Sequence, residues 1–316
     1  MAHGQNNTTN SPDWIRNIAF NNTMLENFNE ENFMIAKYVE FIDDLDGAQT
    51  ELHIPGVGNT SISDYKEGQV INTEQVSTTM FKFKPDQAKA GGISITDELL
   101  RDSYYINQVL PYIAEDQTRA CYEDIEKYFF TLSQTLPFKV NEVQHRLEGT
   151  GVNGELSISD FSRAKSVIRR SAKLYNNFVS FITPEQASKI EQSIGIVAPA
   201  NAKWEQVADQ GLMDQTGMSL LMNIHGVDVY VSSFVPKGID STAAGGSDHT
   251  DSDAVMVFSA TARKAPFIGA WVERPNFTFE RFESKRTTEH YVYMCFGGKL
   301  IYPQNLVVIE CKPATI

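Results

Sequence analysis

Three groupings in the sequence have residue types that could form a chemical site. Asp43-Asp44-Leu45-Asp46-Gly47 has the carboxylates and the glycine of a calcium loop. Aligning Gly47 with the glycine that such a loop requires puts Ile42 at the first ligand and His53 at the last, so neither of these positions holds a carboxylate. Gly56-Val57-Gly58 lacks the third glycine and does not open a helix, which excludes a dinucleotide fingerprint. The third grouping, Ser247-Asp248-His249-Thr250-Asp251-Ser252-Asp253, sets an imidazole among carboxylates. It supports one enzymatic reading, a metal-dependent hydrolase, against the plainer reading of a solvated polar loop. No P-loop, HExxH or GxSxG pattern is present. The cysteines, Cys121, Cys295 and Cys311, are too few and too scattered for a disulfide framework or a CxxC zinc site. The sequence therefore gives no catalytic residue, no metal ligand and no cofactor.

The elements around these groupings are elaborated at their margins. Residues 1 to about 12 are polar, and from Trp14 apolar residues recur at irregular spacing (Ile15, Ile18, Phe20, Met24, Leu25, Phe28, Phe33). An extended arm lying on another surface reads this way, and so does a pair of short helices. His53 to Lys84 is rich in Gly, Ser, Thr and Val and reads as a long β-hairpin with a charged tip at Ser63 to Gly68. Its few large apolar residues cannot make a core, so it must pack on a neighbour or project. After Gly91-Gly92 the chain turns helical, with Thr96 as N-cap, and a second helix runs from near Pro111 to about Gln134. Its apolar face carries Cys121, Ile125, Tyr128 and Leu132.

Residues 136 to 156 read as a Gly-punctuated connection. A helix from Ser157 carries Arg163, Lys165, Arg169, Arg170 and Lys173, which suit nucleic acid or an acidic partner, or simply an exposed helix face. A buried strand follows at Asn177 to Thr183, then a helix opened by Thr183-Pro184 with Gln186 three residues after the cap. Asn201 to Asp209 reads as a short helix and Met222 to Pro236 as a hairpin turning at His225-Gly226. Lys237 to Asp253 reads as an exposed loop, and strands are expected at 254–259, 267–272, 290–296 and 305–311.

Composition sets the class. The chain has 316 residues, 41% of them hydrophobic, and a formal net charge of −13. Phosphate binding needs clustered cations, so a general nucleic-acid-wrapping surface is excluded. The charge is uneven: residues 1–54 hold two basic and nine acidic residues, a net of −7. No secretory signal or membrane-spanning run is evident, and a soluble protein made in a cytoplasm is expected.

Four passages, in this order and spacing, resemble the major capsid proteins of tailed bacteriophages with the HK97-like fold, especially the podovirus-like coat proteins. Val57 to Gly68 (VGNTSISDYKEG) is similar to the hairpin arm known as the E-loop, and Thr118 to Glu126 (TRACYEDIE) to the spine helix. The helix, strand and Thr183-Pro184-Glu185 start, with the Ile224 to Ser233 hairpin (IHGVDVYVSS), resembles the axial A-domain. Phe296 to Ile309 (FGGKLIYPQNLVVI) resembles the closing strands of the peripheral P-domain.

The resemblance implies an α+β subunit with an N-terminal arm (1–50), an E-loop hairpin (51–92), a P-domain with the spine helix (93–156), an A-domain (157–272, exposed loop 237–253) and P-domain return strands (273–316). It implies hexamers and pentamers of an icosahedral shell around double-stranded DNA, assembled in a host cytoplasm and located in the virion, with a separate scaffolding protein, a portal and no membrane. Inter-subunit contacts would fall on Asp64, Tyr65, Lys66, Glu67 and Gly68 of the E-loop tip, and on Trp14, Ile15, Ile18 and Phe20 of the arm. The acidic arm would meet basic residues of a neighbour, Arg163, Arg169, Arg170 and Lys173 or Arg281, Lys285 and Arg286. An encapsulin-type cellular nanocompartment is the alternative within the same fold.

Overall fold

The computed structural model describes residues 35–42, 52–57, 78–98, 110–172, 177–197, 219–260 and 265–313. The described helices are α1 (Leu110–Leu132), α2 (Ile158–Ala172) and α3 (Pro184–Val197). The strands are β1 (Glu40–Ile42), β2 (Leu52–Val57), β3 (Thr78–Phe83), β4 (Gln87–Thr96), β5 (Lys139–Val140), β6 (Val143–Gln144) and β7 (Arg146–Glu148). They continue with β8 (Phe178–Ile182), β9 (Ser219–Ile224), β10 (Val227–Val231), β11 (Asp253–Ser259), β12 (Phe267–Phe282), β13 (Thr287–Leu300) and β14 (Leu306–Cys311).

Two sheets organise them. One has four strands in the order β1-β12-β13-β4, and the other six in the order β7-β14-β11-β8-β10-β9. The alternation of β13 explains how the first sheet is covered: Val292, Met294 and Phe296 turn inward onto α1, whose Cys121, Ile125 and Phe129 share their core. The six-stranded sheet is buried on both faces, so every residue of its central strands β8, β11 and β14 is buried and most are apolar. Val179, Phe181, Met256 and Phe258 face the core that contains α1, whereas Phe178, Ile182, Val255 and Val257 face Phe161, Ala164 and Ile168 of α2 and Ile190 of α3. Phe129, Phe130, Phe161 and Phe181 have no exposed surface, and each such side chain stabilises the fold by roughly 1.5–3 kcal/mol.

Local chemistry explains the element ends. The Thr183 hydroxyl accepts the Gln186 N–H at 3.3 Å, capping α3 with Pro184 in its first turn. Gln186 does not complete a capping box; its amide accepts from Leu156 N–H and donates to Lys312 C=O. In the β9–β10 hairpin both turn residues have positive φ, His225 at 52° and Gly226 at 76°, as a two-residue primed turn requires.

Several expectations are corrected. Residues 136–156 are not a plain connection: β7 joins the six-stranded sheet parallel to β14. Its strand character was hidden by Arg146, a cation buried because it is paired. Gly91-Gly92 is no boundary, since β4 runs through both and pairs with β13 from Gln87 to Thr96. Residues beyond Val272 continue β12 to Phe282, with Pro275 accommodated where the register shifts between Glu273 and Asn276. The divisions at 272 and 273 therefore cut through one strand. Leu306–Cys311, expected with the return strands, lies inside the six-stranded sheet between β7 and β11. The short helix expected at Asn201 to Asp209 lies outside the described residues.

Candidate assembly site

The best-anchored feature is the root of the N-terminal segment. The carboxylate of Glu126, buried on α1, accepts the N–H of Ile35 at 2.9 Å and of Ala36 at 3.3 Å. Tyr38 then packs edge-on against Phe181 and Phe258 of the six-stranded sheet, at 6.3 and 5.8 Å between centroids, and its hydroxyl lies 3.3 Å from that of Tyr230. Burial pushes the Tyr38 phenol well above its ordinary range, so it stays protonated. Phe41 stacks on Trp271 at 5.2 Å and meets Phe129 edge-on, while β1 pairs in parallel with β12. Eight residues thus tie α1 and both sheets together. Trp14, Ile15, Ile18 and Phe20 lie outside the described residues.

The hairpin is anchored in the same way. β2 and β3 pair antiparallel from Leu52↔Phe83 to Val57↔Thr78, forming a stem. Phe83 buries against Ala270 and Ile268, and the Lys299 ammonium donates to Lys82 C=O at 3.0 Å. At Gly297 a Cβ would come within 2.4 Å of Pro85 Cα, so glycine is what lets the chain leaving the stem lie against β13. The tip residues Asp64, Tyr65, Lys66, Glu67 and Gly68 lie outside the described residues.

The helix residues singled out for packing meet on one face of α1. Cys121 and Ile125 are buried, and burial pushes the Cys121 thiol up to about 11. Tyr128 donates its hydroxyl to Gly298 C=O at 3.1 Å and meets Phe296 edge-on, and Leu132 packs at the margin of the same core.

The basic residues fall into two groups on different elements, and several are engaged within the subunit. Arg163 donates to Glu148 C=O at 3.1 Å, Lys165 donates to His225 C=O at 2.7 Å, and Lys165 and Arg169 stand over the Phe178 ring. Arg170 is exposed, and Lys173 lies outside the described residues. At the β12–β13 turn, Arg281 pairs with Asp97 at 3.1 Å and Glu283 at 2.7 Å, Lys285 stands over Phe282, and Arg286 is exposed.

One cluster was not anticipated. The fully buried Arg146 pairs with Glu310 at 3.2 Å, and His249 lies 3.6 Å from Glu310 and 3.4 Å from Glu148. Burial raises the Glu310 carboxyl above its usual range, against the pull of Arg146 and His249. The loop carrying His249 is not simply solvated: the ring is 14% exposed on its side chain, and Gly238 and Ser241 bond across the loop to Ser252 and Ser247. A charged residue in an apolar strand, Glu310 in LVVIEC, was the available signal, because such a residue stays buried only when paired. Among the described residues no group of three or more His, Cys, Asp or Glu is placed to hold a metal ion. No described helix is long and apolar enough to cross a membrane.

These two sheets, the long helix between them, the anchored arm root and the hairpin stem define the HK97-like α+β fold of capsid-shell subunits. The chain superposes on a structure from Mycobacterium phage Che8 with a TM-score of 0.60 at 16% identity, covering 88% of this chain and 90% of that one. It superposes on the capsid of Ralstonia phage GP4 with a TM-score of 0.63 at 11% identity, covering 88% of each chain. An encapsulin complex from Synechococcus elongatus PCC 7942 also matches, with a TM-score of 0.57 at 12% identity over 89% of this chain and 88% of that one. No family model matches the sequence, and no curated protein does.

Proposed function

We propose that this chain is the major capsid protein of a tailed bacteriophage, forming hexamers and pentamers of an icosahedral shell around double-stranded DNA. The observation that carries the reading is end-to-end agreement with phage capsid subunits, 88% of this chain on 88% of the Ralstonia phage GP4 subunit, not a match to one module. The four-stranded sheet with α1 would be the P-domain, the six-stranded sheet with α2 and α3 the A-domain, and residues 58–77 the E-loop beyond its stem. Function then resides in interface burial and needs no catalytic step, since obligate interfaces bury on the order of 2,000–5,000 Å². A scaffolding protein and a portal complete the assembly in the host cytoplasm, and the mature location is the virion. With a net charge of −13 per subunit, the shell would repel its genome and leave it free to be packed and released.

The likeness to an encapsulin complex favours a second reading, a cellular nanocompartment. Particles purified from cells expressing the chain with candidate scaffold and packaging genes separate the two. Encapsidated double-stranded DNA supports the phage shell, an enzyme cargo supports the compartment, and a monomer under all conditions overturns both.

A further inference from the structure

The loop 237–253 meets the β7–β14 edge of the six-stranded sheet through polar contacts. No residue from Pro236 to Asp253 belongs to either of the two large hydrophobic cores. A segment held by so few apolar contacts opens at low cost. Much of its backbone bonding is internal: Gly238 N–H donates to Ser252 C=O at 2.8 Å, Ser241 N–H to Ser247 C=O at 3.1 Å and His249 N–H to Ile239 C=O at 3.3 Å. At its root Lys237 pairs with Asp253 at 2.6 Å, and Lys237 C=O accepts from Gln134 at 2.9 Å. Its contacts with the sheet converge on two carboxylates. The Ser247 hydroxyl donates to Glu148 Oε1 at 2.8 Å, and Ile239 N–H reaches Glu310 Oε1 at 3.5 Å. Between them His249 Nε2 lies 3.4 Å from Glu148 Oε1 and 3.6 Å from Glu310 Oε2.

We propose that protonated His249 latches this loop to the sheet, and that the loop opens as His249 loses its proton with rising pH. Histidine is the side chain that ordinarily changes charge between roughly pH 5 and 8. Arg146 on β7 pairs with Glu310 and offsets one of the two carboxylates, which leaves one negative charge for an imidazolium to balance. Arg163 of α2 approaches Glu148 at its backbone C=O, 3.1 Å away. The loop's other charges are acidic, Asp240, Asp248 and Asp251, since Lys237 is already paired with Asp253. With the imidazole neutral, the loop therefore brings more negative charge toward Glu148 and Glu310 and nothing positive to meet them. Closing the latch favours the protonated ring, so the closed loop is stabilised at low pH and that stability is lost as pH rises through the histidine's titration. The inference stands on the subunit alone and is independent of the shell reading.

Hydrogen–deuterium exchange of the full-length chain at pH 5.5 and 8.5 tests it, with the intrinsic pH dependence of exchange divided out. Peptides covering 237–253 should exchange on the order of threefold to tenfold faster at pH 8.5, as expected for losing two partly exposed charge pairs. Peptides covering β8 and β14 should not change. In His249→Gln the loop should exchange fast at both pH values, and in Glu148→Gln the ratio between them should shrink. A ratio near one in the unaltered chain overturns the latch. A ratio that persists in His249→Gln also overturns it, and assigns the titration to Glu310, whose carboxyl burial raises. Should His249→Gln fail to fold, Glu148→Gln decides, and an unchanged ratio there contradicts the proposal.

Discussion

Glu126 holds the start of the described fold with two hydrogen bonds from backbone N–H groups to a buried carboxylate. Bonds of this kind to a charged group are worth about 1.5–3 kcal/mol. Glu126→Ala should lower the urea midpoint by that order and open the chain near Ile35 to protease; an unchanged midpoint and digest would show that Tyr38 and Phe41 suffice. Arg146→Met should cost roughly 3–5 kcal/mol, because it leaves Glu310 buried without its cation. Arg146→Met with Glu310→Leu should recover most of that loss, and a double variant as unstable as the single would contradict the pairing.

Titration belongs to the same scale. Burial lowers the pKa of His145, whose ring is bonded to Leu306 C=O and the Ser171 hydroxyl at 2.7 Å each, and it brings that of His290 down to about 4. The unfolded chain takes up these protons near pH 6.5 and the folded chain resists them. The stability they confer is therefore present above that pH and lost as pH falls toward 4. Glu310, raised by burial, works in the opposite sense. Urea midpoints measured between pH 7.5 and 4.5 should fall, and His290→Phe should flatten part of the slope; a midpoint rising with acid would reverse the assignment.

At the scale of elements, the proposed E-loop role predicts that folding and assembly separate at the hairpin stem. Replacing residues 58–77 with a two-residue Asn-Gly turn between Val57 and Thr78 should leave the subunit folded, because the stem pairs through six residue pairs and is anchored by Phe83. Circular dichroism should be unchanged while shells fail to form, and normal shells from this variant would refute the E-loop assignment.

The elements also show what a sequence can disclose. Helix α1, the Thr183 cap and the His225-Gly226 turn were legible because each depends on residues near in sequence. The apolar face of α1 through Cys121 and Ile125 is legible too, but the role of Glu126 beside it is not, because its partners lie 90 and 91 residues away. Strand β7 and the long β12 were lost for a similar reason. Arg146 and Pro275 argue against a strand locally, and only Glu310 in one case and a register shift in the other remove the objection. The cleft between α1 and the β4–β13 edge, lined by Ala90, Cys121, Val292 and Met294, left no trace in the sequence, since three separate elements form it jointly.

At the scale of the whole molecule, one core runs from α1 into both sheets, and the segments beyond it leave from fixed roots at Ile35 and at the β2–β3 stem. The acidic first 54 residues, net −7, should make assembly sensitive to ionic strength, with rates falling as salt screens their attraction to basic surface on neighbours. Light scattering across a salt series measures this, and rates that rise steadily with salt would point to repulsion instead.

The most direct test of the central claim is electron microscopy of the full-length chain coexpressed with candidate scaffold genes and purified as particles. Closed icosahedral shells of uniform diameter, built from hexamers and pentamers of this chain, are the predicted result. A monodisperse monomer or dimer with every scaffold tried, and no closed particle, would contradict it.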